Sequence, residues 1–331
     1  MDIIRKSNIQ KEELDKALQI INKIENYCDK KIVGQDKLKK ALIVSVIANG
    51  HTLLESVPGL AKTTAAKTLI DSVDGEFSRI QCTPDLLPSD IIGTQIFNYS
   101  QNSFETKLGP VYANLVLLDE INRASAKTQS AMLEVMQEHQ ITIGGKKYKI
   151  PEPFIVIATQ NPIEQEGTYM LPEAQMDRFL IKEKLEYPKM QEEIQILDKI
   201  ENQDFQPLPA VASIEDVLYL QQLVKRVYID ETIKRYIVNI IYATRHPEKL
   251  ISKELASYVT LGASPRGSIA LMEVSKAVAL INGRDYVNPD DVKFLVHSVL
   301  RHRISLNYAA IVDGITPENI IDAIIGALNT P

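Results

Sequence analysis

Between His51 and Tyr187, four short runs rich in aliphatic and β-branched residues, Thr52 to Glu55, Phe77 to Cys82, Leu115 to Leu118 and Phe154 to Thr159, alternate with helix-length segments. Neighbouring parallel strands must be joined by a long crossover, which is usually a helix. The alternation therefore predicts an α/β domain, a parallel sheet with helices on both faces. Two inserted hairpins are expected, one around Gly93 to Gly109 and one at Ile141 to Ile150, where Gly144-Gly145 supplies the positive φ of a two-residue turn. Ahead of the sheet, Ile9, Leu14, Leu18, Ile21 and Ile24 repeat at helical spacing and predict an N-terminal helix over 9–29. Leu38, Leu42 and Val46 predict a second over 35–47. Beyond Pro188 the periodicity is helical, in Glu192 to Asn202, Ile214 to Val227, Asp230 to Thr244, Arg266 to Asn282 and Asp290 to His302. Residues 1–188 are thus expected as the α/β domain and residues 189–331 as an all-α domain.

Composition narrows the classes. Lys and Arg number 37 against 43 Asp and Glu, a net charge of −6, which weighs against a general nucleic-acid binder. The longest apolar stretch, Ala41 to Ala48, contains Ser45 and is far shorter than the roughly 18 residues of a spanning helix, so no membrane insertion is expected. The N-terminus runs into Lys11-Glu12-Glu13 without the apolar core of a secretory signal. Cys28 and Cys82 form neither a disulfide framework nor a zinc pair. These features predict a cytoplasmic chain with two buried, apolar cysteines. The five histidines give no metal-binding spacing, and no Gly-x-Gly dinucleotide fingerprint occurs.

Three segments carry candidate chemistry. Ser56-Val57-Pro58-Gly59-Leu60-Ala61-Lys62-Thr63 lies between a predicted strand and a predicted helix. In that context, backbone N–H groups at the helix start face phosphate oxygens, a lysine offsets the β/γ charge and a hydroxyl helps hold Mg²⁺. Lys62 and Thr63 suit those roles, although Ser56 and Ala61 stand where a standard phosphate loop has glycines, and a Pro-Gly turn before an amphipathic helix is an alternative. The run Leu115 to Leu118 ends in Asp119-Glu120, two carboxylates delivered to the edge of the sheet where ligands bind. Asp119 suits Mg²⁺ and Glu120 suits water activation, or the pair simply charges a helix N-terminus. Ile155 to Thr159 leads to Gln160-Asn161-Pro162, where Asn161 either bonds a phosphate or water or serves as a turn residue.

In combination these segments resemble the AAA+ ATPases, and within them the MoxR family. The resemblance spans nearly the whole chain in six ordered blocks: Val33-Gly34-Gln35, Pro58 to Thr63, Thr83-Pro84-Asp85-Leu86-Leu87-Pro88-Ser89-Asp90, Asp119-Glu120-Ile121-Asn122-Arg123, Ala158 to Pro162, and Leu171-Pro172-Glu173-Ala174-Gln175-Met176-Asp177-Arg178-Phe179. Ala61 matches the family, whereas Ser56 stands where the family usually has glycine. The resemblance implies a P-loop AAA+ core followed by an all-α lid. It also implies ATP or ADP bound by Val33, Gly34, Pro58, Gly59, Leu60, Ala61, Lys62, Thr63, Thr64 and Asp119, with Mg²⁺ on Thr63 and Asp119, partly through water. Glu120 is then the general base, Asn161 the sensor-1 residue, Arg178 an arginine finger acting on a neighbouring subunit and Arg266 the sensor-2 arginine. Ile32 and Val33 would border the adenine, and Arg123 would point to a subunit interface.

By the same resemblance the chain is expected to act as a chaperone-like remodelling ATPase. It would work as a ring homo-oligomer, a hexamer, with partners carrying von Willebrand factor A domains. The hairpin tip Gly144-Gly145-Lys146-Lys147-Tyr148-Lys149 suits an acidic partner or a nucleic-acid strand, or protects a sheet edge. A DNA-directed AAA+ motor, a magnesium-chelatase-like motor subunit and an ATP-switched scaffold with little turnover remain as alternatives. The segment Gly262-Ala263-Ser264-Pro265-Arg266-Gly267 is not a serine-nucleophile elbow, because its second glycine comes one residue late and no strand precedes it.

Overall fold

The structure, a computed structural model, describes residues 8–56, 62–162, 169–202, 206 and 208–331. Helices α1 (Lys11–Lys31) and α2 (Asp36–Ile47) precede β1 (Thr52–Glu55) and α3 (Lys62–Asp71). Then follow β2 (Val73–Asp74), β3 (Phe77–Gln81), α4 (Pro88–Ile92), β4 (Gly93–Asn98), β5 (Ser103–Leu108) and β6 (Leu115–Asp119). Next come α5 (Ala126–Glu138), β7 (Gln140–Ile143), β8 (Lys146–Lys149), β9 (Ile155–Gln160), α6 (Glu173–Met176), β10 (Ile181–Lys184) and α7 (Met190–Glu201). Among the described residues, five strands form one sheet in the order β10-β1-β9-β6-β3. The pairs β1–β9, β9–β6 and β6–β3 are parallel.

Central strands of such a sheet are covered on both faces, and their sequences must be apolar throughout. Accordingly Leu115 to Leu118 and Ile155 to Ala158 are buried at every position. Val116, Leu118, Val156 and Ala158 pack with Met132, Leu133, Met136 and Phe154 in one cluster under α5. His51 fastens the same region: its Nδ1 accepts from Val156 N–H at 3.1 Å and its Nε2 donates to the Met136 carbonyl at 3.1 Å. Burial pulls this imidazole from its usual 6.5 down to about 4, so the ring is neutral and its tautomer is set by those two bonds.

Both hairpins form where expected. β4 pairs β5 from Gly93–Leu108 to Asn98–Ser103, and β7 pairs β8 around Gly144 and Gly145, both at positive φ. The two hairpins also touch. Tyr148 donates its hydroxyl to Thr106 Oγ1 at 3.0 Å, and a Cβ on Gly144 would lie 2.2 Å from the Gln95 amide. Tyr148 is therefore a bridge between hairpins, and Lys149 pairs with Glu152 at 2.7 Å. Cys28 and Cys82 are buried, and burial raises both thiols to about 12.

The remaining elements are β11 (Ala212–Ser213), α8 (Ile214–Arg226), α9 (Glu231–Arg245), α10 (Lys253–Ser257), β12 (Val259–Leu261) and α11 (Pro265–Ile281). After these come α12 (Pro289–Phe294), α13 (Val296–Leu300), β13 (Ser305–Leu306), α14 (Tyr308–Val312) and α15 (Pro317–Ala327). Two compact units result: residues 22–179 with 183–218, and residues 1–21, 180–182 and 219–331. Within the second unit α9 and α11 form the centre, contacting α15 and α12 respectively. Asp230 caps α9 through Thr232 N–H at 2.9 Å, and Ser264 caps α11.

Among the departures from sequence expectation are a broken helix, an edge strand and a short antiparallel pair. The helix expected over Asp290 to His302 is divided at Leu295 (φ −118°, ψ 20°) into α12 and α13, and Leu295 and Val296 are both buried. β10 was not anticipated, because its inward-facing Glu183 interrupts the apolar alternation. A short antiparallel pair, β12 with β13, interrupts the otherwise helical second unit. No described helix is long and apolar enough to cross a membrane.

Candidate functional site

In an open parallel sheet, ligands bind beyond the carboxyl ends of the strands. That edge is where β1, β6 and β9 deliver the polar residues singled out above. Thr63, in the first turn of α3, donates its hydroxyl to Asp119 Oδ1 at 3.1 Å, so the helix start and the end of β6 meet. Ser56 is buried, and its N–H extends the β1–β9 ladder to the Gln160 carbonyl at 3.3 Å. Pro58, Gly59, Leu60 and Ala61 lie outside the described residues, and Lys62 is the first residue of α3.

Asp119 is buried, and its two oxygens face different partners. Oδ1 also accepts from Thr159 Oγ1 at 3.3 Å. Oδ2 is gripped by the guanidinium of Arg79 on β3, through Nε at 2.7 Å and Nη2 at 2.6 Å. A hydroxyl and a carboxylate at contact distance form a hard-oxygen pair, a donor set that fits Mg²⁺ shared with phosphates. Immediately after it, Glu120 adopts the left-handed conformation (φ 56°, ψ 52°). A non-glycine residue is strained there, and the strain is held by Thr159 Oγ1, which accepts Glu120 N–H at 2.9 Å. The turn separates the two adjacent carboxylates. Glu120 Oε2 accepts from Gln81 Nε2 at 3.2 Å and from Arg123 Nη1 at 3.1 Å. Arg123 thus contacts Glu120 within its own chain.

Asn161 is buried beside this turn, and its carbonyl accepts Asn122 Nδ2 at 3.2 Å. Asn122 Oδ1 is buried without a partner among the described residues, a polar atom with unused accepting capacity. Gln129 on α5 ties the turn down from below, its Nε2 donating to the carbonyls of Ile121, Ala124 and Tyr169 at 3.1, 3.2 and 2.9 Å.

Thr63 and Thr64 also line a cavity of about 1,320 Å³ together with Ile32, Val33, Tyr187 and Ile196. The segment entering it is shaped by Gly34 (φ +63°) and Gln35 (φ 54°), two consecutive left-handed residues. A Cβ on Gly34 would lie 2.3 Å from Glu192 Oε1 at the start of α7. Glu192 in turn accepts Lys189 N–H at 2.8 Å, and Gln35 Nε2 donates to the Glu186 carbonyl at 2.9 Å.

Two arginines were also expected to act. Arg178 is half-buried, with Nε donating to Gln137 Oε1 at 3.1 Å and Nη1 to the Ala174 carbonyl at 3.1 Å. It lines a surface cleft of about 480 Å³ with Glu134 and Glu138. Arg266 belongs to the second unit, where its N–H donates to Ser264 Oγ at 3.1 Å in the first turn of α11. Sequence reasoning missed Arg79, Gln81, Thr159 and Gln129. The signal for the first two is alternation along β3, whose register places Gln81 beside Asp119, a relation that only the pairing of distant strands reveals.

The strand order, the helix starting beside the end of β1, and the threonine–aspartate contact at the sheet edge define an α/β P-loop core of the AAA+ class with a helical lid. Residues 51–181 match the model of the ATPase family associated with various cellular activities (AAA), and residues 252–324 match the AAA lid domain. The chain is 47% identical over 302 residues to Chaperone MoxR1 of Mycobacterium tuberculosis, covering 91% of this chain and 79% of that one. It is 44% identical over 320 residues to the uncharacterized protein YeaC of Bacillus subtilis, covering 96% and 95%. A crystal structure from Cytophaga hutchinsonii superposes with a TM-score of 0.86 at 44% identity, over 96% of this chain and 97% of the other. The chain belongs to the MoxR family of AAA+ ATPases.

Proposed function

We propose that this protein hydrolyses Mg·ATP and couples turnover to chaperone-like remodelling or maturation of partner proteins from a ring of identical subunits. The observation that carries the reading is the Thr63–Asp119 contact at the sheet edge, with Glu120 turned off the same strand end. In this reading residues 1–188 bind nucleotide and residues 189–331 are the lid. Val33 and Gly34 border the base of ATP or ADP. Pro58, Gly59, Leu60, Ala61, Lys62, Thr63 and Thr64 surround the phosphates. Mg²⁺, when bound, offsets charge on the β- and γ-oxygens. Thr63 and Asp119 hold it, partly through water. Glu120 takes the proton of the attacking water and Asn161 orients that water.

Arg178 reaches the site of the neighbouring subunit, and Arg266 adds charge from the lid. A trans-acting arginine accelerates such transfers by roughly 10³ to 10⁵. Support for the trans role is the place of Arg178 in the lining of a surface cleft. The name of the Mycobacterium relative supports the chaperone-like reading. A hexameric ring, partners with von Willebrand factor A domains and a cytoplasmic location complete the proposal, and the net charge of −6 disfavours nucleic acid as the client.

The test is Mg·ATP hydrolysis over a protein-concentration series, with assembly followed by light scattering, for wild type, Glu120→Gln and Arg178→Ala. Specific activity should rise with assembly. Glu120→Gln should bind ATP without turnover, and Arg178→Ala should assemble yet be inactive. Nucleotide binding with no hydrolysis at any concentration would refute the motor reading for the isolated protein and leave an ATP-switched scaffold in its place.

A further inference from the structure

The reading above gives Asp119 to Mg²⁺, yet this carboxylate already carries a cation. Arg79 reaches it from the adjacent strand through two nitrogens on Oδ2, while Oδ1 faces Thr63. No other side-chain hydrogen bond or ion pair of Arg79 is formed among the described residues, and about half of its side chain is exposed while Asp119 is buried. The pair is therefore not a surface ornament: a buried carboxylate without phosphates or metal needs a counter-charge, and Arg79 supplies it.

We propose that Arg79 is a resident counter-cation that sets the metal affinity of Asp119, so that a divalent ion enters only when it arrives with the phosphates of a nucleotide. The inference rests on the assignment of Thr63 and Asp119 to Mg²⁺. A metal on the Oδ1 side of the carboxylate stands about one carboxylate width from a guanidinium fixed on Oδ2, and like charges so close repel strongly even at an effective dielectric of about 20. Free Mg²⁺ is thereby disfavoured. Nucleotide phosphates bring enough negative charge to offset both cations, and Mg²⁺ and ATP become mutually dependent ligands. Arg79 acts here as a positioning residue as well, since its two-pronged grip keeps Oδ1 turned toward Thr63.

Charge and hydrogen bonding are separable by substitution. Arg79→Gln retains a donor for Oδ2 without the charge, and Arg79→Lys retains the charge without the fork. The first readout is the Mg²⁺ concentration giving half-maximal binding of a fluorescent ATP analogue. The second is the thermal shift produced by Mg²⁺ alone. In wild type Mg²⁺ alone should give no shift. In Arg79→Gln the half-saturating Mg²⁺ should fall about tenfold, after discounting for the exposed guanidinium, and Mg²⁺ alone should stabilise the protein. Arg79→Lys should stay near wild type. A merely structural arginine would instead leave the Mg²⁺ dependence unchanged or weakened on removal, and that outcome overturns the inference. Asp119→Asn separates the two levels: if it abolishes the Mg²⁺ dependence while Arg79→Gln has no effect, only the role of Arg79 fails. If Asp119→Asn leaves the dependence intact, the metal assignment fails and this inference with it.

Discussion

Replacing Thr159 by valine removes one oxygen atom and almost no volume, from a residue that is 1% exposed. That oxygen accepts the N–H of Glu120 at 2.9 Å and donates to Asp119 Oδ1 at 3.3 Å. The first is a neutral hydrogen bond, worth about 1 kcal/mol, and the second, to a carboxylate but long, about 1.5 kcal/mol. A further fraction follows from leaving a buried N–H unpaired, so the expected loss is about 3 kcal/mol. The assay is urea unfolding at neutral pH, where the midpoint should fall at unchanged slope. Thr159→Ser keeps both bonds and should cost only about 1 kcal/mol for the lost methyl group. Turnover should fall at least about tenfold in the valine variant, because the left-handed turn that aims Glu120 loses its tether. A valine variant within about 0.5 kcal/mol of wild type, the range of ordinary surface changes, would refute the claim that this hydroxyl holds the turn.

Two other perturbations test the frame around the site. His51 is held neutral, at about 4 instead of 6.5, so the unfolded chain binds its proton first; stability from this group is complete above about 6.5 and is lost as pH falls toward 4. The window amounts to about 3 kcal/mol, and urea midpoints from pH 7 to 4.5 should show it, with a flatter profile in His51→Gln; equal slopes would refute it. Gly34→Ala should cost about 2 kcal/mol, from its positive φ and from displacing the Glu192 carboxylate that its Cβ would meet at 2.3 Å. Combining it with Glu192→Ala should recover the steric part alone in a double-mutant cycle of unfolding energies; strict additivity would refute the contact.

How much of this was legible depends on whether the signal is local. The central strands β6 and β9 announce themselves because burial on both faces demands unbroken apolar runs, and the residues at their carboxyl ends, Asp119 closing β6 and Asn161 just after β9, are then read directly. Gly144-Gly145 is equally local, since a two-residue turn with both φ positive dictates its own residues. β10 was hidden because an edge strand can bury Glu183 where the pattern calls for an aliphatic residue. Arg79, Gln81 and Thr159 look like ordinary strand residues until register brings them to Asp119 and Glu120. Gln129, spaced along an amphipathic helix, gives no sign of the three carbonyls it serves.

The joined hairpins acquire a mechanical meaning from the helix beside them. The thirteen residues of α5 make a rod about 20 Å long. At one end the chain passes straight into β7, whose hairpin is pinned to its neighbour by Tyr148 and Thr106. Toward the other end Gln129 holds the turn that follows Glu120. Under the proposed remodelling function, a load on either hairpin would be shared by both and transmitted along a stiff pushrod to the backbone beneath Glu120, so that traction on a client and the aim of that carboxylate would be two readings of one displacement.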